Sequence, residues 1–516
     1  MGDPADAAGF RLTDLVAAIS LAIDLGTGQP IEHALRTCRL SMAVADELGL
    51  DSGTAADVHY VALLRFLGCT ADVPETAQLA GGDNLAFLSA MAPVAMGGTG
   101  EALGTLVRSV GRGRSPVRRT RLVVGALGDP NGAARSLSAH CEVGARLACR
   151  LGLGDGVVGA LAHAYERWDG RGIPDGLAGD AIPIAVRIVM VARDAVLWQR
   201  LAGTDAAVEV LARRRGRAYD PAVVDAVRAV GVAEAGEGPV WDDVLAAEPE
   251  PVRRVGAVAL DRALAAVGDF ADLRSSWTRG RSSRVAELAR EAGRACGLPA
   301  ADVAILRRAA LVADLGAVGV PAGVWEILGP LGVEATEQVR LHPYLSERVL
   351  GRCTGLRPVA VLAGSHHERL DGSGYHRGST GAQLPSPARL LAAADVWAAL
   401  GEDRAHRPTR LPGEARDAIW AEVTAGRLDG TAVDAVLASD GQAGDRRHRP
   451  RPAGLSEREV EVLALIARGS TNREVAARLS ISPKTVGRHV EHIYAKIGVT
   501  TRPGAALFAM EHRLLG

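Results

Sequence analysis

The sequence contains two copies of one pattern, and this repeat constrains the fold more than any other feature. The segment HALRTCRLSMAVADELGL, which begins at His33, matches RSSRVAELAREAGRACGL, which begins at Arg281, at a spacing of 248 residues. The segments YERWDGRGIP, from Tyr165, and HERLDGSGYH, from His367, match at a spacing of 202 residues. The change in spacing implies an insertion in the first copy, at about residues 70–130. Such self-similarity predicts two similar domains in tandem.

The repeats and the segments around them divide the 516-residue chain into five parts. Residues 1–230 hold the first copy with its insertion, and residues 255–440 hold the second. Residues 231–254 are acidic, contain Pro and Gly, and are predicted to link the two. An arginine-rich linker, residues 441–453, leads to a C-terminal domain at residues 454–516. We predict mainly helical repeats and a four-helix C-terminal domain, so the expected fold class is all-α.

Charge is distributed unevenly, although the whole chain carries a formal charge of −1. Residues 454–516 and residues 441–453 each have a net charge of +3, which leaves −7 on residues 1–440. A basic end on an acidic body indicates a polyanionic partner for the C-terminal part alone.

Composition excludes several classes of protein. No run approaches about 18 apolar residues, so we expect neither a membrane span nor a membrane partner. The N-terminus lacks a basic start followed by an apolar run, so we expect no secretory signal. Six cysteines without a Cys-x-x-Cys pair are typical of reduced, buried thiols rather than of disulfides or a zinc knuckle. We therefore expect a cytoplasmic protein.

The C-terminal domain has the pattern of a helix-turn-helix. Ser456 with Glu459 three residues later forms a capping box, and Asn472 is predicted to cap the second helix. Ser482 and Pro483 begin a third helix along which apolar residues recur every three or four positions. A short helix, a tight turn and a helix with polar N-terminal residues is the arrangement that enters the major groove of DNA.

The strings LSEREVEVL, NREVAARL, ISPKTV and HIYAKIGV resemble the LuxR-type (GerE-type) DNA-binding domain over its whole length. That resemblance implies that Lys484, Thr485, Arg488 and His489 meet phosphates and base edges of double-stranded DNA. Members usually bind near-palindromic sites as dimers, so we expect a homodimer, with RNA polymerase as a further partner. A helical bundle used only for protein contacts is the alternative.

The second repeat resembles the HD-GYP branch of the HD metal-dependent phosphohydrolases, most specifically at SHHERLDGSGY and PARLLAAAD. The resemblance implies an α-helical fold that binds two or three divalent metals and hydrolyses cyclic di-GMP. Imidazole and carboxylate suit manganese, iron or zinc, and a metal-bound hydroxide then attacks the phosphorus.

The ligand positions of that family are only partly retained in the second repeat. The first histidine falls on Arg281, and the His-Asp pair falls on Ala313 and Asp314. The lysine that usually follows falls on Ala317. The resemblance therefore implies a site for one divalent metal (Mn, Fe or Zn), with an empty polar pocket as the alternative. The candidate ligands are Asp314, His342, His366, His367 and Asp395.

The first repeat retains fewer of the ligands. His33 and His140 remain, and as isolated histidines they are more typical of surface or core positions. The other positions cannot form a metal site without a shift in register, and they fall on Arg65, Phe66, Ala164, Tyr165 and Arg193. We interpret this repeat as structural or ligand-sensing.

Two functions of different classes follow. The first is a DNA-binding transcription regulator whose catalytically inactive body senses a signal or a nucleotide ligand, or drives oligomerisation; the chain resembles a group of actinobacterial regulators of this kind. The alternative is a metal-dependent phosphohydrolase, similar to cyclic dinucleotide phosphodiesterases, fused to a DNA-binding domain. The replacements at Ala313 and Arg281 favour the first, because hydrolysis needs the second metal for charge neutralisation and nucleophile generation.

Overall fold

The structure is a computed structural model, and it describes residues 9–94, 99–129, 131–236, 238–405, 407–442 and 452–515. Most of the predicted arginine-rich linker lies outside the described residues. The chain divides into two compact units, Met1–Ala263 and Leu264–Gly516. Within the described ranges, every helix is too short or too polar to span a membrane.

The first unit consists of helices and one two-stranded antiparallel ribbon. Strand β1 (Phe10–Arg11) pairs with strand β2 (Arg254–Val255). The helices are α1 (Leu12–Gly26), α2 (His33–Glu47), α3 (Ser52–Leu64), α4 (Val73–Ala80), α5 (Asn84–Met91), α6 (Thr99–Ser109), α7 (Pro116–Leu127), α8 (Gly132–Arg150), α9 (Asp155–Ala162), α10 (Ile184–Ala202), α11 (Thr204–Arg214), α12 (Pro221–Val230) and α13 (Trp241–Ala246).

The second repeat begins with α14, which spans the division between the units, and is followed by the C-terminal domain. The helices of the repeat are α14 (Ala257–Asp272), α15 (Arg281–Ala295), α16 (Ala300–Val312), α17 (Ala322–Trp325), α18 (Val333–Arg340), α19 (His342–Leu350), α20 (Arg357–Ala363), α21 (Ser386–Leu400), α22 (Pro412–Thr424) and α23 (Gly430–Gln442). Those of the C-terminal domain are α24 (Glu457–Ala467), α25 (Asn472–Leu479), α26 (Pro483–Ile497) and α27 (Arg502–Glu511).

The repeat in the sequence is a repeat in the structure. Helices α2 and α15 have the same length and start at the predicted spacing, and so do α3 and α16. Their partners also correspond: α2 contacts α3, α10 and α12, as α15 contacts α16, α21 and α23. Because aromatic residues make up only 3% of the chain, Ala, Val and Leu fill these contacts and let the helices approach closely. The all-α tandem fold is confirmed.

The C-terminal domain has the predicted four helices. Ser456 Oγ accepts from the Glu459 N–H, and the Glu459 carboxylate accepts from the Ser456 N–H at 2.7 Å, which is the predicted capping box. Ser482 caps α26 by accepting from the Thr485 N–H at 3.1 Å. Val486 and other apolar residues on the inner face of α26 are buried.

The predicted cap of α25 is wrong by one residue. Thr471 is the N-cap, and its hydroxyl accepts from the Glu474 N–H at 3.3 Å. Asn472 is instead the first residue of α25, and its side-chain oxygen accepts from Arg502, at the start of α27, at 2.7 Å.

The two core helices α2 and α15 start after residues with left-handed backbone. Gly280, before α15, has φ of 81°, and Glu32, at the corresponding place before α2, has φ of 76°. A residue with a Cβ is strained in this conformation, whereas glycine is not.

Glu32→Gly should therefore stabilise the first repeat by about 0.5–1 kcal/mol, since relief of strain exceeds the added entropy of the unfolded chain. The matched variant Gly280→Ala should destabilise the second repeat by about 1 kcal/mol. Urea unfolding followed by tryptophan fluorescence measures both. Destabilisation by Glu32→Gly would show that the Glu32 side chain, which lies 3.7 Å from Arg36, contributes more than the strain costs.

Candidate metal centre and nucleic-acid interface

Four of the five candidate metal ligands converge in the second repeat. Asp314 follows α16, His342 is the first residue of α19, and His366 and His367 follow α20. Each offers one ligand atom, and these atoms all lie within 4.8 Å of one another. Among the described residues, this is the group of three or more histidine, cysteine or acidic side chains that could hold a metal ion.

Backbone carbonyls fix the two buried imidazoles in one tautomer. His342 Nδ1 lies 2.6 Å from the Val339 carbonyl, and His366 Nδ1 lies 2.7 Å from the Ala363 carbonyl. A carbonyl can only accept, so each Nδ1 carries the proton and each Nε2 presents its lone pair. A carbonyl that orients a ligating imidazole in this way is the usual support of a metal-bound histidine.

The two lone pairs face each other. His342 Nε2 and His366 Nε2 are 3.1 Å apart, and Asp314 Oδ1 lies 3.3 and 3.5 Å from them. Three acceptors around one point need a cation or a proton between them. Burial has the largest single effect and lowers the pKa of His366, but the hydrogen bond to Asp314 and the charges of Asp395 and Asp314 together outweigh it, so the net shift is upward. Burial lowers the pKa of His342. The donor set thus fits one divalent metal, with a single proton on His366 as its substitute.

Arg281 occupies the other side of Asp314. Its guanidinium lies 2.5 Å from Asp395 Oδ1, 2.7 Å from Glu402 Oε2 and 3.3 Å from Asp314 Oδ2, and its side chain is only 5% exposed. Asp395, the fifth candidate ligand, is thereby paired with a cation, and its other oxygen lies 3.7 Å from His367 Nδ1. A fixed positive charge stands where the resemblance puts the first histidine ligand.

Sequence reasoning missed two residues of this site. Glu402 lies beyond the end of α21, and no motif marks it. Arg274, in the segment between α14 and α15, is buried 4.5 Å from the Trp325 ring, and its Nε and Nη1 have no hydrogen-bond partner within the described ranges. Burial lowers the pKa of Arg274 to about 10, which leaves it charged at neutral pH. The only sequence signal for Arg274 was the number of arginines close to the start of α15.

In the first repeat, His140 and His163 pair with different carboxylates, and His33 is buried. His140 lies between Asp72, 2.7 Å from its Nε2, and Tyr165, 3.1 Å from its Nδ1. His163 contacts Asp175 at 3.1 Å. His33 is buried, and its Nε2 has no partner among the described residues.

The predicted DNA-contacting residues lie on the first two turns of α26. Lys484, Thr485 and Arg488 are exposed, and His489 is half-buried. Gly487 lies on the same exposed side, with open space where a Cβ would stand. This part of the helix is therefore accessible, as a helix that reads the major groove must be.

The C-terminal domain contacts the second repeat close to the candidate metal centre. Arg279, two residues before Arg281, donates to the Ala467 carbonyl at the end of α24. Arg513 lies 3.2 Å from Glu287 on α15. The start of α15 therefore touches the carboxylates on one side and the C-terminal domain on the other.

Two family models match this chain. The model described as HD domain matches residues 133–223 and 266–432, together half of the chain. The chain belongs to the HD-domain family. The model described as bacterial regulatory proteins, luxR family, matches residues 453–509. The molecule is an HD phosphohydrolase-like body fused to a LuxR-type DNA-binding domain, as the sequence predicted.

Relatives of this HD-domain protein match its two parts separately. It is 28% identical to 3'3'-cGAMP-specific phosphodiesterase 3 of Vibrio cholerae over 410 residues, which are 77% of this chain and 88% of that protein. It is 40% identical to the probable transcriptional regulatory protein NarL of Mycobacterium tuberculosis over 105 residues, which are 19% of this chain and about half (49%) of that protein.

A crystal structure of a V. cholerae cyclic GMP-AMP-specific phosphodiesterase superposes on the HD-domain protein with a TM-score of 0.58 at 23% identity. The match covers 84% of this chain and 98% of the other. At this identity the likeness concerns the fold alone, and it supports the all-α body.

Replacing Arg281 by Met in the HD-domain protein should lower the free energy of unfolding of the second repeat by about 3–5 kcal/mol, because Asp314 and Asp395 would lose their paired buried cation, while Glu402 keeps its contact with Arg404. The matched variant Arg290→Met removes a half-buried arginine of the same helix that pairs with Glu287 and Glu291, and it should cost less than about 1 kcal/mol. Urea unfolding in a metal-free buffer compares the two. Equal effects would mean that Arg281 is not needed to neutralise the cluster.

Proposed function

We propose that this protein is a transcription regulator whose second HD repeat binds a ligand without hydrolysing it. Ligand binding changes the contact between this repeat and the DNA-binding domain. The observation that carries the proposal is the Arg281 guanidinium, which pairs with three carboxylates beside the four candidate metal ligands. Lys484, Thr485, Arg488 and His489 are the residues proposed to contact DNA.

One divalent metal, manganese, iron or zinc, is proposed for the second repeat. Asp314, His342, His366 and His367 would hold it, since their lone pairs converge and two of the imidazoles are already oriented. Such an ion supplies a Lewis acid that binds an oxygen of a phosphate. Asp395 is a weaker candidate, because its carboxylate neutralises Arg281.

Hydrolysis is not expected, because the residues for a second metal are replaced. Arg281 and Ala313 stand where the family has histidines, and Ala317 stands where it has lysine. A guanidinium offers positive charge and five N–H donors, but it cannot generate a hydroxide nucleophile. The arrangement therefore suits a phosphate-bearing ligand that is held rather than cleaved.

The ligand proposed for this site is a cyclic dinucleotide. A relative that aligns over most of this chain is named for 3'3'-cGAMP. Arg274 is buried, and none of the residues that the structure describes accepts a hydrogen bond from its Nε or Nη1, so it provides a cation for a second phosphate near Asp314.

The start of α15 is proposed to transmit the signal. A ligand that draws Asp314 towards a metal weakens its contact with Arg281, and a shift of Arg281 acts on Arg279 two residues away. Arg279 holds the carbonyl of Ala467 at the end of α24, so the change reaches the DNA-binding domain. Two arrangements of this contact, with and without ligand, would provide the two states that signalling needs.

A homodimer is proposed because LuxR-type domains usually occupy near-palindromic sites, whose symmetry a dimer matches. RNA polymerase is proposed as the partner of the DNA-bound form, and the cytoplasm as the compartment, since that is where a bacterial regulator meets DNA.

The double variant Lys484→Ala with Arg488→Ala should abolish site-specific DNA binding, because phosphate contacts and base contacts are lost together. The matched control, Arg213→Ala with Arg294→Ala, removes two positive charges from exposed side chains of the HD repeats and should keep the binding. Electrophoretic mobility shift on sites selected by genomic footprinting measures both. Undiminished specific binding by the first variant would place the reading surface elsewhere.

Protein loaded anaerobically with manganese, iron or zinc should hold about one metal per chain, and His366→Ala should reduce this below about 0.1, since a buried ligand is lost. The control His512→Ala removes an exposed histidine of the DNA-binding domain and should leave the metal content unchanged. Elemental analysis gives the result. If the wild-type protein held no metal, the proposed metal site would be wrong, and the cluster would be a polar pocket that holds a proton.

A phosphodiesterase is the second candidate, and the convergent four-ligand cluster is the observation that favours it. The same metal-loaded samples, incubated with cyclic GMP-AMP or cyclic di-GMP, distinguish the two functions. Binding without product supports the sensor. Steady turnover that is lost in His366→Ala would establish the enzyme instead.

A further inference from the structure

The first repeat has a cavity at the place that corresponds to the metal centre of the second. Helices α1, α2, α3 and α10 contribute to its wall, which includes His33, Arg65, Phe66 and Arg193. The spacings of the repeat put these residues at the positions of Arg281, Ala313, Asp314 and Asp395. Arginines thus stand at two positions where the second repeat or its family has metal ligands.

Arg65 is a buried cation that makes no ion pair among the described residues, and the Asp194 carboxylate acts on it only at longer range. Its residue is 8% exposed, and its Nε and Nη1 are buried without a hydrogen-bond partner among the described residues. Its nearest aromatic neighbours are the rings of Phe66 and Tyr165, at 5.5 and 5.7 Å. A guanidinium cannot lose its proton at ordinary pH, and an unpaired buried charge is strongly unfavourable. Arg281, by contrast, is equally buried but pairs with three carboxylates.

Other donors point into the same cavity. Arg193 donates to the Ala92 carbonyl at 2.8 Å and pairs with Asp194 at 2.5 Å, yet in the described part of the chain its buried Nε has no hydrogen-bond partner. The same holds there for His33 Nε2. Burial lowers the pKa of His33 to about 3, so the imidazole is neutral and can donate from one nitrogen.

The acidic residues nearby do not supply the missing charge. Asp24, on the cavity wall, accepts from the Ala34 N–H at 3.2 Å, and burial raises its pKa well above the usual value. Asp194 is shared between Arg193 and Arg214. The surroundings of Arg65 therefore carry a net positive charge, and a water molecule in the cavity would satisfy N–H groups without neutralising it.

We propose that this cavity is an anion-binding site that takes one phosphoryl group, as inorganic phosphate or as the terminal phosphate of a nucleotide, with Arg65 as its main ligand and Arg193 and His33 as further donors. The guanidinium fork matches two phosphate oxygens. The enclosed part of the cavity has room for about one water molecule and its mouth is open to solvent, so a small anionic group can enter only from the mouth and a whole drug-sized ligand cannot. This proposal does not depend on the function proposed for the second repeat.

Hydrogen exchange of the full-length chain, in phosphate and in sodium chloride of equal ionic strength, tests the site. Phosphate should slow exchange several-fold in peptides from α2 and α3, because a ligand stabilises the segments that hold it. Arg65→Met, which fills similar space without charge, should lose this protection. Arg65→Lys keeps the charge but not the fork, and it should weaken the apparent affinity for phosphate by about tenfold or more.

The control is the double variant Lys484→Ala with Arg488→Ala, which removes cations from α26 and should keep the full protection of α2 and α3. A nucleoside 5′-monophosphate titrated in parallel separates the two sources of the group: tighter binding than inorganic phosphate assigns the cavity to a nucleotide, and equal or weaker binding assigns it to the free ion. Absence of phosphate protection in the wild type overturns the proposal. Protection that persists unchanged in Arg65→Lys also overturns it, even if Arg65→Met fails to fold.

Discussion

The ion pairs of Arg281 with Asp314, Asp395 and Glu402 hold together a buried cluster of carboxylates that would otherwise repel one another. The guanidinium is fixed at the first turn of α15, after the left-handed Gly280, so its position follows from the backbone. A divalent metal in its place would carry one more positive charge and would also activate water, which a guanidinium does not do. The substitution therefore keeps a positive charge beside the carboxylates while removing part of the chemistry of an HD centre.

The two repeats resolve the loss of metal ligands in different ways. In the second, Arg281 pairs with three carboxylates, Glu402 also pairs with Arg404, and four candidate ligands still converge. In the first, arginines stand at two of the ligand positions, and Arg65 makes no ion pair among the described residues, where two of its nitrogens also lack a hydrogen-bond partner. The same fold thus offers one site that suits a metal and one that suits an anion. The metal-suited site of the second repeat lies at the start of α15, next to the contact between Arg279 and the DNA-binding domain. A change of charge at this site can therefore reach the DNA-binding domain.

The sequence predicted much of the architecture, because duplication leaves matching segments and helix caps depend on local hydrogen bonds. The spacings correctly paired α2 with α15, and the Ser456 capping box and the Ser482 cap form as expected. Asn472 was misassigned by one residue, since it is the first residue of α25, and its side chain contacts Arg502, distant in sequence. The resemblance named the residues that converge at Asp314. Glu402 and the carbonyls of Val339 and Ala363 could not be predicted, because their roles arise from tertiary placement and main-chain geometry rather than from residue type.

The central claim is that Arg281 takes the place of a metal and leaves room for one ion. Anomalous diffraction from crystals of the full-length chain, grown with manganese or zinc, tests it most directly. The account predicts one anomalous peak per chain, within bonding distance of Asp314, His342, His366 and His367, with Arg281 still paired to Asp395. Two bridged ions with Arg281 displaced from the carboxylates would contradict it.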